Sequence, residues 1–303
     1  MYVIKKLLLT VLVLVGAATC SFLLLRMLPG DPAEALAGPQ ATQADVELVR
    51  QSLDLDKPVL KQYATYMTSM ASGDLGQSFR TRRPVVDEIK ARWPATLRLS
   101  FTSMLVAIAV GVPLGIYAAQ KRGRILDTVS MVGSFIGVSM PSFWLGMLLI
   151  VCFAVKFELF PFSGDKSLLS YVLPSLTLGL GVAANIARLT RASMLDTLGQ
   201  DYLRTARGKG LSEFRVVKIH GLRNAAVPIV TIIGLQFGAL LGGQVVTEKL
   251  FVWPGLGRMI VDSLNARDYM VVQGGILVLA ATFAVLNLLT DLVCKALDPR
   301  IRL

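Results

Sequence analysis

Long uncharged runs constrain this chain more than any other feature. Six of them, near residues 7–25, 96–119, 128–155, 171–189, 225–246 and 271–292, consist almost wholly of apolar and small side chains. A helix needs roughly 20 such residues to cross the hydrocarbon of a bilayer. Gly and Pro inside the runs do not argue against this, because membrane helices tolerate both. The runs predict six transmembrane helices and an all-α integral membrane protein. Composition agrees: 17% of the 303 residues are charged and 54% hydrophobic, where soluble domains average about a quarter charged.

The first run imitates a cleaved signal peptide, with "MYVIKK" followed by an apolar stretch and small residues. Cys20 also invites a lipoprotein reading. Thr19 is a poor residue before a lipid-modified Cys, however, and the run continues through "SFLLL", so an uncleaved first span is expected. Cys20, Cys152 and Cys294 all lie in apolar runs, without the paired spacing of a disulfide framework or zinc site. With one histidine, His220, the chain offers no metal-ligand set.

Charge sets the orientation. The net charge of +11 would fit nucleic acid or anionic lipid, but a lipid-embedded chain has little free surface for a duplex, and no nucleic-acid partner is expected. Lys5 and Lys6, the "QKRGR" loop, the block at 201–225 and the terminal "KALDPRIRL" all fall on one side of a six-span chain. Basic loops mark the cytoplasmic side, so both termini are expected there. Three regions follow: a first span at 1–28, an external helical cap segment at 29–95, and a core of five spans at 96–303. In the cap segment Thr42 is a candidate N-cap and Pro58 belongs to a first helical turn. Val59, Tyr63, Tyr66 and Met70 repeat at helical spacing. "SGDLGQSF" reads as a turn and "RPVVDEIKARW" as amphipathic; the size of the segment suggests contact with something outside.

Catalytic chemistry is not encoded. "ARGKG" lacks the upstream Gly and the hydroxyl residue of a phosphate-binding loop, and no nucleophile elbow, zincin helix or dinucleotide fingerprint occurs. Carboxylates are nearly absent from the runs, where a proton-driven carrier keeps an ionisable residue. Energy is therefore expected from another protein.

The block "DYLRTARGKGLSEFRVVKIHGLRNA" carries six Lys or Arg against Asp201 and Glu213. Asp201 is placed to cap a short helix, "GKG" at 208–210 to break it, and Ser212 to start a second helix with Leu211, Phe214 and Val217 along one side. A solvated loop touching headgroups would carry the same charge. The apolar stripe and glycine hinge favour a knob that docks into a partner's groove.

"DYLRTARGKGLSE" resembles the cytoplasmic signature loop of binding-protein-dependent ABC transporter permeases, which reads Glu-Ala-Ala, three residues, Gly. Arg204, Thr205 and Ala206 occupy the Glu-Ala-Ala place, and Gly210 falls at the matching Gly. The Arg in place of Glu and the "HGLRNA" ending are similar to the peptide/nickel branch. So are "LPGDP", "LDLDKPVLKQY", "GDLGQSF", "RPVVDEI", "PATLRLS", "MPSFWLG", "LPSLTLG", "PGLGR" and "ALDPRIR", in family order over nearly the whole chain. The likeness is to the first of two paired permeases.

That resemblance implies the ABC type I importer transmembrane fold in a bacterial cytoplasmic (inner) membrane. It implies a second permease subunit, two ATPase subunits holding ATP and Mg, and an extracytoplasmic substrate-binding protein, with no cofactor on this chain. Arg204, Thr205, Ala206, Gly210, Leu211 and Phe214, within a loop at 193–225, would couple to the ATPases. The cargo would be di- or oligopeptides or related solutes, with nickel or a nickel chelate as the alternative and a receptor or membrane enzyme as a distant third. Ser139, Asn185, Gln236 and Gln244 are candidate pathway residues, although polar side chains in membranes often serve only as interhelical glue. Trp253, Pro254 and Gly255 are candidates for contact with the binding protein, or equally an interfacial anchor and turn.

Overall fold

A computed structural model describes residues 2–26, 32–37, 41–52 and 55–297. The "LPGD" of the stop after the first run and the "DPRIRL" terminus lie outside the described residues, and the Pro32 that completes the stop begins the next helix. The chain divides into two compact units. One comprises Met1–Thr96 with Pro254–Ala284, the other Leu97–Trp253 with Val285–Leu303.

The first unit begins with α1 (Tyr2–Arg26), followed by the short helices α2 (Pro32–Ala37), α3 (Gln43–Ser52) and α4 (Val59–Ala71). Thr42 caps α3 reciprocally: its hydroxyl oxygen accepts from the Asp45 N–H, and its own N–H donates to the Asp45 carboxylate. Pro58 stands just before α4 as its N-cap, one place earlier than the sequence suggests, because its ψ of 139° is extended. Tyr63 and Tyr66 turn inward onto the ring of Phe22 on α1, at centroid distances of 5.2 and 5.4 Å, while Val59 is exposed.

The amphipathic stretch after "RPV" is not a separate cap helix. It is the start of α5 (Val85–Gln120), a single helix of 36 residues that runs on through the second apolar run. Its first turns join α13 (Leu256–Asn265) and the start of α14 (Tyr269–Leu297) around Val85, Ile89, Leu256, Met259 and Val271. Thr96 Oγ1 accepts the Leu256 N–H at 2.7 Å, satisfying one orphan donor of the α13 N-terminus. Trp93 Nε1 donates to Thr282 at 3.1 Å, and Gln273 Nε2 to the Ser21 carbonyl at 2.9 Å.

In the second unit the third apolar run is two helices, not one. α6 (Ile125–Ser139) stops before Pro141, which has no N–H to continue it, and α7 (Ser142–Leu149) restarts with Pro141 as its N-cap. A π-helical stretch, Ile150–Lys156, follows. α8 (Val172–Leu198) packs against α6, α7 and α11 (Leu222–Gly243). It also meets α5 through glycine: a Cβ on Gly115 would lie 2.5 Å from the Ala187 carbonyl and 2.6 Å from Thr190 Cβ. This is the close approach that small residues permit between membrane helices. Asp127 on α6 holds Arg191 on α8 in a two-pronged bond of 2.6 and 2.7 Å, with the Asp127 side chain almost fully buried.

Among the described residues, four helices are long and apolar enough to cross a membrane: Val85–Gln120, Leu168–Leu198, Glu213–Gly243 and Tyr269–Leu297. Leu8–Leu23 and Ser142–Lys156 are shorter apolar helices.

Candidate coupling site

The basic block folds as α9 (Asp201–Gly208), a glycine turn, α10 (Glu213–Arg215) and a π-helical turn, Val216–Gly221, that leads into α11. Asp201 is not the cap. That position belongs to Gln200, and Asp201 lies in the first helical turn, where its charge complements the helix dipole. Arg207 does the same in the last turn.

The end of α9 explains the spacing between Ala206 and Gly210. The Gly210 N–H donates to the Arg207 carbonyl at 2.9 Å, and the Leu211 N–H to the Ala206 carbonyl at 3.3 Å. These are the paired bonds of a Schellman cap, which requires a left-handed residue at the first position beyond the cap. Gly210 supplies it with φ +78°, and nothing lies within 4 Å of where its Cβ would be. The motif residues thus share one helix end, with Ala206 and Leu211 half-buried and Arg204 and Thr205 exposed. Across the turn Arg207 Nε donates to Glu213 Oε1 at 2.7 Å.

Leu203 is fully buried, and so are Val216 and Val217. Val217 joins Ala119, Met194, Ala225 and Ile229 in one core cluster. The expected stripe of Leu211, Phe214 and Val217 is therefore divided. The widened turn that starts at Val216 changes the rotation per residue, so Val217 faces the core while Phe214 stays 65% exposed. Lys218 Nζ sits 4.5 Å from the Phe214 ring centre. On the other flank Asn224 Nδ2 donates to the Tyr202 hydroxyl at 2.7 Å and to the His220 carbonyl at 2.9 Å. Tyr202 and Asn224, with Asp196, Thr197 and Gln200, line an open depression of about 390 Å³. The result is a protruding turn with a solvent-facing tip and an apolar root. Sequence reading missed Leu203 and the Tyr202–Asn224 bond. Leu203 is legible as the one large aliphatic residue of α9; the bond, spanning 22 residues, leaves no local signal.

The other candidate residues do not form one cluster. Ser139 is exposed at the end of α6. Asn185 accepts from Arg188 one turn along the same helix, at 2.6 Å. Gln236 is half-buried on α11. Gln244 is fully buried and accepts from Ser100 of α5 at 3.2 Å, the geometry of interhelical glue. Trp253 does not present itself to a partner: it is fully buried and meets Tyr171 edge-on at 4.7 Å. The backbone turns it inward at the end of α12 (Val245–Leu250), where Val252 takes φ +52°. Gly255 is buried as the N-cap of α13, and Pro254 is half-buried.

Residues 111–303 match the binding-protein-dependent transport system inner membrane component family, and residues 1–100 match the N-terminal membrane component of the same systems. The chain belongs to this family. It is a permease subunit of an ABC importer, a multi-pass protein of the bacterial inner membrane. The permease is 51% identical over 99% of its length, and 98% of the relative's, to a glutathione transport system permease protein, GsiC, of Escherichia coli O6:H1. It is 50% identical, with the same coverage, to GsiC of Escherichia coli K12 and of Shigella dysenteriae serotype 1. In fold it is similar to the MetNI methionine ABC transporter, with a TM-score of 0.60 at 19% identity, over 69% of this permease and 96% of that chain.

Proposed function

We propose that this permease forms half of the translocation pathway of an ATP-driven importer for glutathione or similarly short peptides. The observation that carries the substrate class is the 50–51% identity, over essentially full length, to permeases of glutathione transport. In this reading the chain crosses the membrane six times, α1 and the α7 segment serving as the shorter spans, with both termini in the cytoplasm. A second permease completes the pathway, and ATP and Mg are held by two partner ATPase subunits. A soluble binding protein delivers the cargo from outside.

Arg204, Thr205, Ala206, Gly210, Leu211 and Phe214 couple the permease to the ATPases. Their helix end supports the role: a small open turn can seat closely in a cleft, and the buried Leu203, Val216 and Val217 tie it to α8 and α11. ATPase closure then moves the turn and the attached helices as a body, switching the pathway between its two faces. The test is uptake of labelled glutathione and of a labelled dipeptide by cells lacking the gene, with and without its restoration. Restored uptake of either supports the reading, and uptake indifferent to the gene removes it. Gly210→Trp should leave the permease inserted but uncouple ATP hydrolysis from uptake; normal uptake by that variant would refute the docking role.

A further inference from the structure

The turn that joins "GDLGQSF" to α5 carries Arg80, Arg82 and Arg83, all exposed, with no carboxylate between Gln77 and Pro84. Among the described residues none of the three arginine side chains makes an ion pair. The turn is nonetheless firmly built. Gln77 and Pro84 pair as an antiparallel bridge, the Ser78 N–H donates to the Arg83 carbonyl at 2.9 Å, and the Arg82 N–H to the Ser78 carbonyl at 3.0 Å. Asp268, itself buried, accepts from Ser78 Oγ at 2.5 Å and from the Phe79 and Arg80 N–H groups at 3.3 and 3.4 Å. Arg82 sits in the left-handed region at φ +58°, a conformation that a side chain resists. Such a residue persists where its surroundings impose it, and such places cluster at binding and switching sites.

We propose that this turn is a preset docking site for an acidic surface patch on the transporter's soluble extracytoplasmic binding protein. The inference rests on the importer reading and on the topology that puts residues 29–95 outside. That segment is long enough to be translocated whatever its charge, so membrane insertion does not explain its arginines. Anionic headgroups are the other acidic surface at hand, and helix length argues against them. α5 begins at Val85, some eleven residues before the apolar run, which at ~1.5 Å per residue stands the turn about 16 Å from the hydrocarbon. The headgroup layer is only roughly 5–8 Å deep on each side. Asp45, at the start of α3, is an opposing charge that acts on Arg82. Its carboxyl accepts from the Thr42 hydroxyl and N–H, which together with Arg82 hold it below the ordinary carboxylate range. Asp45 makes no ion pair with Arg82, and all three arginines are exposed. Charges at the rim of an interface act mainly on the rate of encounter and fade with salt.

The test uses the full permease assembled with its partner subunits in discs of zwitterionic lipid, and as probe the binding protein that raises the ATP hydrolysis of that wild-type complex. Arg80→Glu with Arg83→Glu should lower the association rate of that probe on the order of tenfold at low salt, a gap that closes near ~0.5 M salt. Arg80→Lys with Arg83→Lys should associate like wild type, and basal ATP hydrolysis should be equal in all three, showing intact assembly. Equal association by the double-Glu variant overturns the proposal. A deficit that appears only when phosphatidylglycerol is in the discs also overturns it, in favour of lipid. A wild-type complex that no binding protein stimulates overturns the importer reading itself, and the docking turn with it.

Discussion

Two helices of the second unit end in the same way, and their differences are instructive. α9 closes with Gly210 beyond its cap; α12 closes with Val252 in the same place, its N–H donating to the Lys249 carbonyl at 3.2 Å and the Trp253 N–H to the Glu248 carbonyl at 2.8 Å. Gly210 takes the left-handed conformation at no steric cost, whereas a β-branched residue at φ +52° is an outlier. What tolerates the strain at Val252 is its neighbours: Phe251 and Trp253 on either side are fully buried, and that burial outweighs one unfavourable backbone angle. At Gly210 the sequence needs no such support, and the turn is free to remain open. The Gly210 cap needs no packing to hold it, and the Val252 cap is held by the core on either side of it.

Substitutions can break this comparison, beginning with the largest effect. Trp253→Ala should destabilise the permease by about 4 kcal/mol, the usual cost of emptying a buried Trp site. Denaturation of the detergent-solubilised protein would measure it, and a loss below ~1 kcal/mol would mean that Trp253 is not the clamp. Leu203→Ala should cost about 3 kcal/mol by the same scan, and should reduce coupled uptake because it detaches α9 from its root. Next come two opposite signs. Gly210→Ala should lower stability by roughly 1 kcal/mol and Val252→Gly raise it by a similar amount, since one introduces and the other relieves left-handed strain. Equal signs would sink the contrast between the two caps. Smallest is Glu213→Gln, which removes the exposed bond to Arg207 and should change stability by less than ~0.5 kcal/mol, less still in high salt.

Much of the framework was legible in the runs and the punctuation. The apolar runs at 96–119, 171–189 and 271–292 lie in long helices, the run at 225–246 does so as far as Gly243, and the helix–glycine–helix pattern of the basic block is what the structure shows. Thr42 also caps as its spacing implies. Misreadings arose where a pattern had two outcomes. Hydropathy hid the break at Pro141, because both sides of it are equally oily, and it hid the continuity of α5, because charge at Lys90 and Arg92 looks like an end of membrane, not an end of helix. An aromatic next to Pro-Gly suggested a surface anchor at Trp253; a left-handed Val252 turns it inward. The bonds that hold the 77–84 turn were out of reach altogether, since Ser78 and Asp268 are 190 residues apart and nothing local to either announces the other.

The line between the two compact units crosses the chain three times, once in the loop between Trp253 and Pro254 and twice in the interior of helices, between Thr96 and Leu97 in α5 and between Ala284 and Val285 in α14. Anyone dividing this gene to express its halves would meet that fact at once. A cut inside either helix leaves two ragged helix stumps, each with several backbone groups bare of partners in a medium that offers no water. The permease cannot be dissected along its own seam, and a workable split has to fall in an ordinary loop.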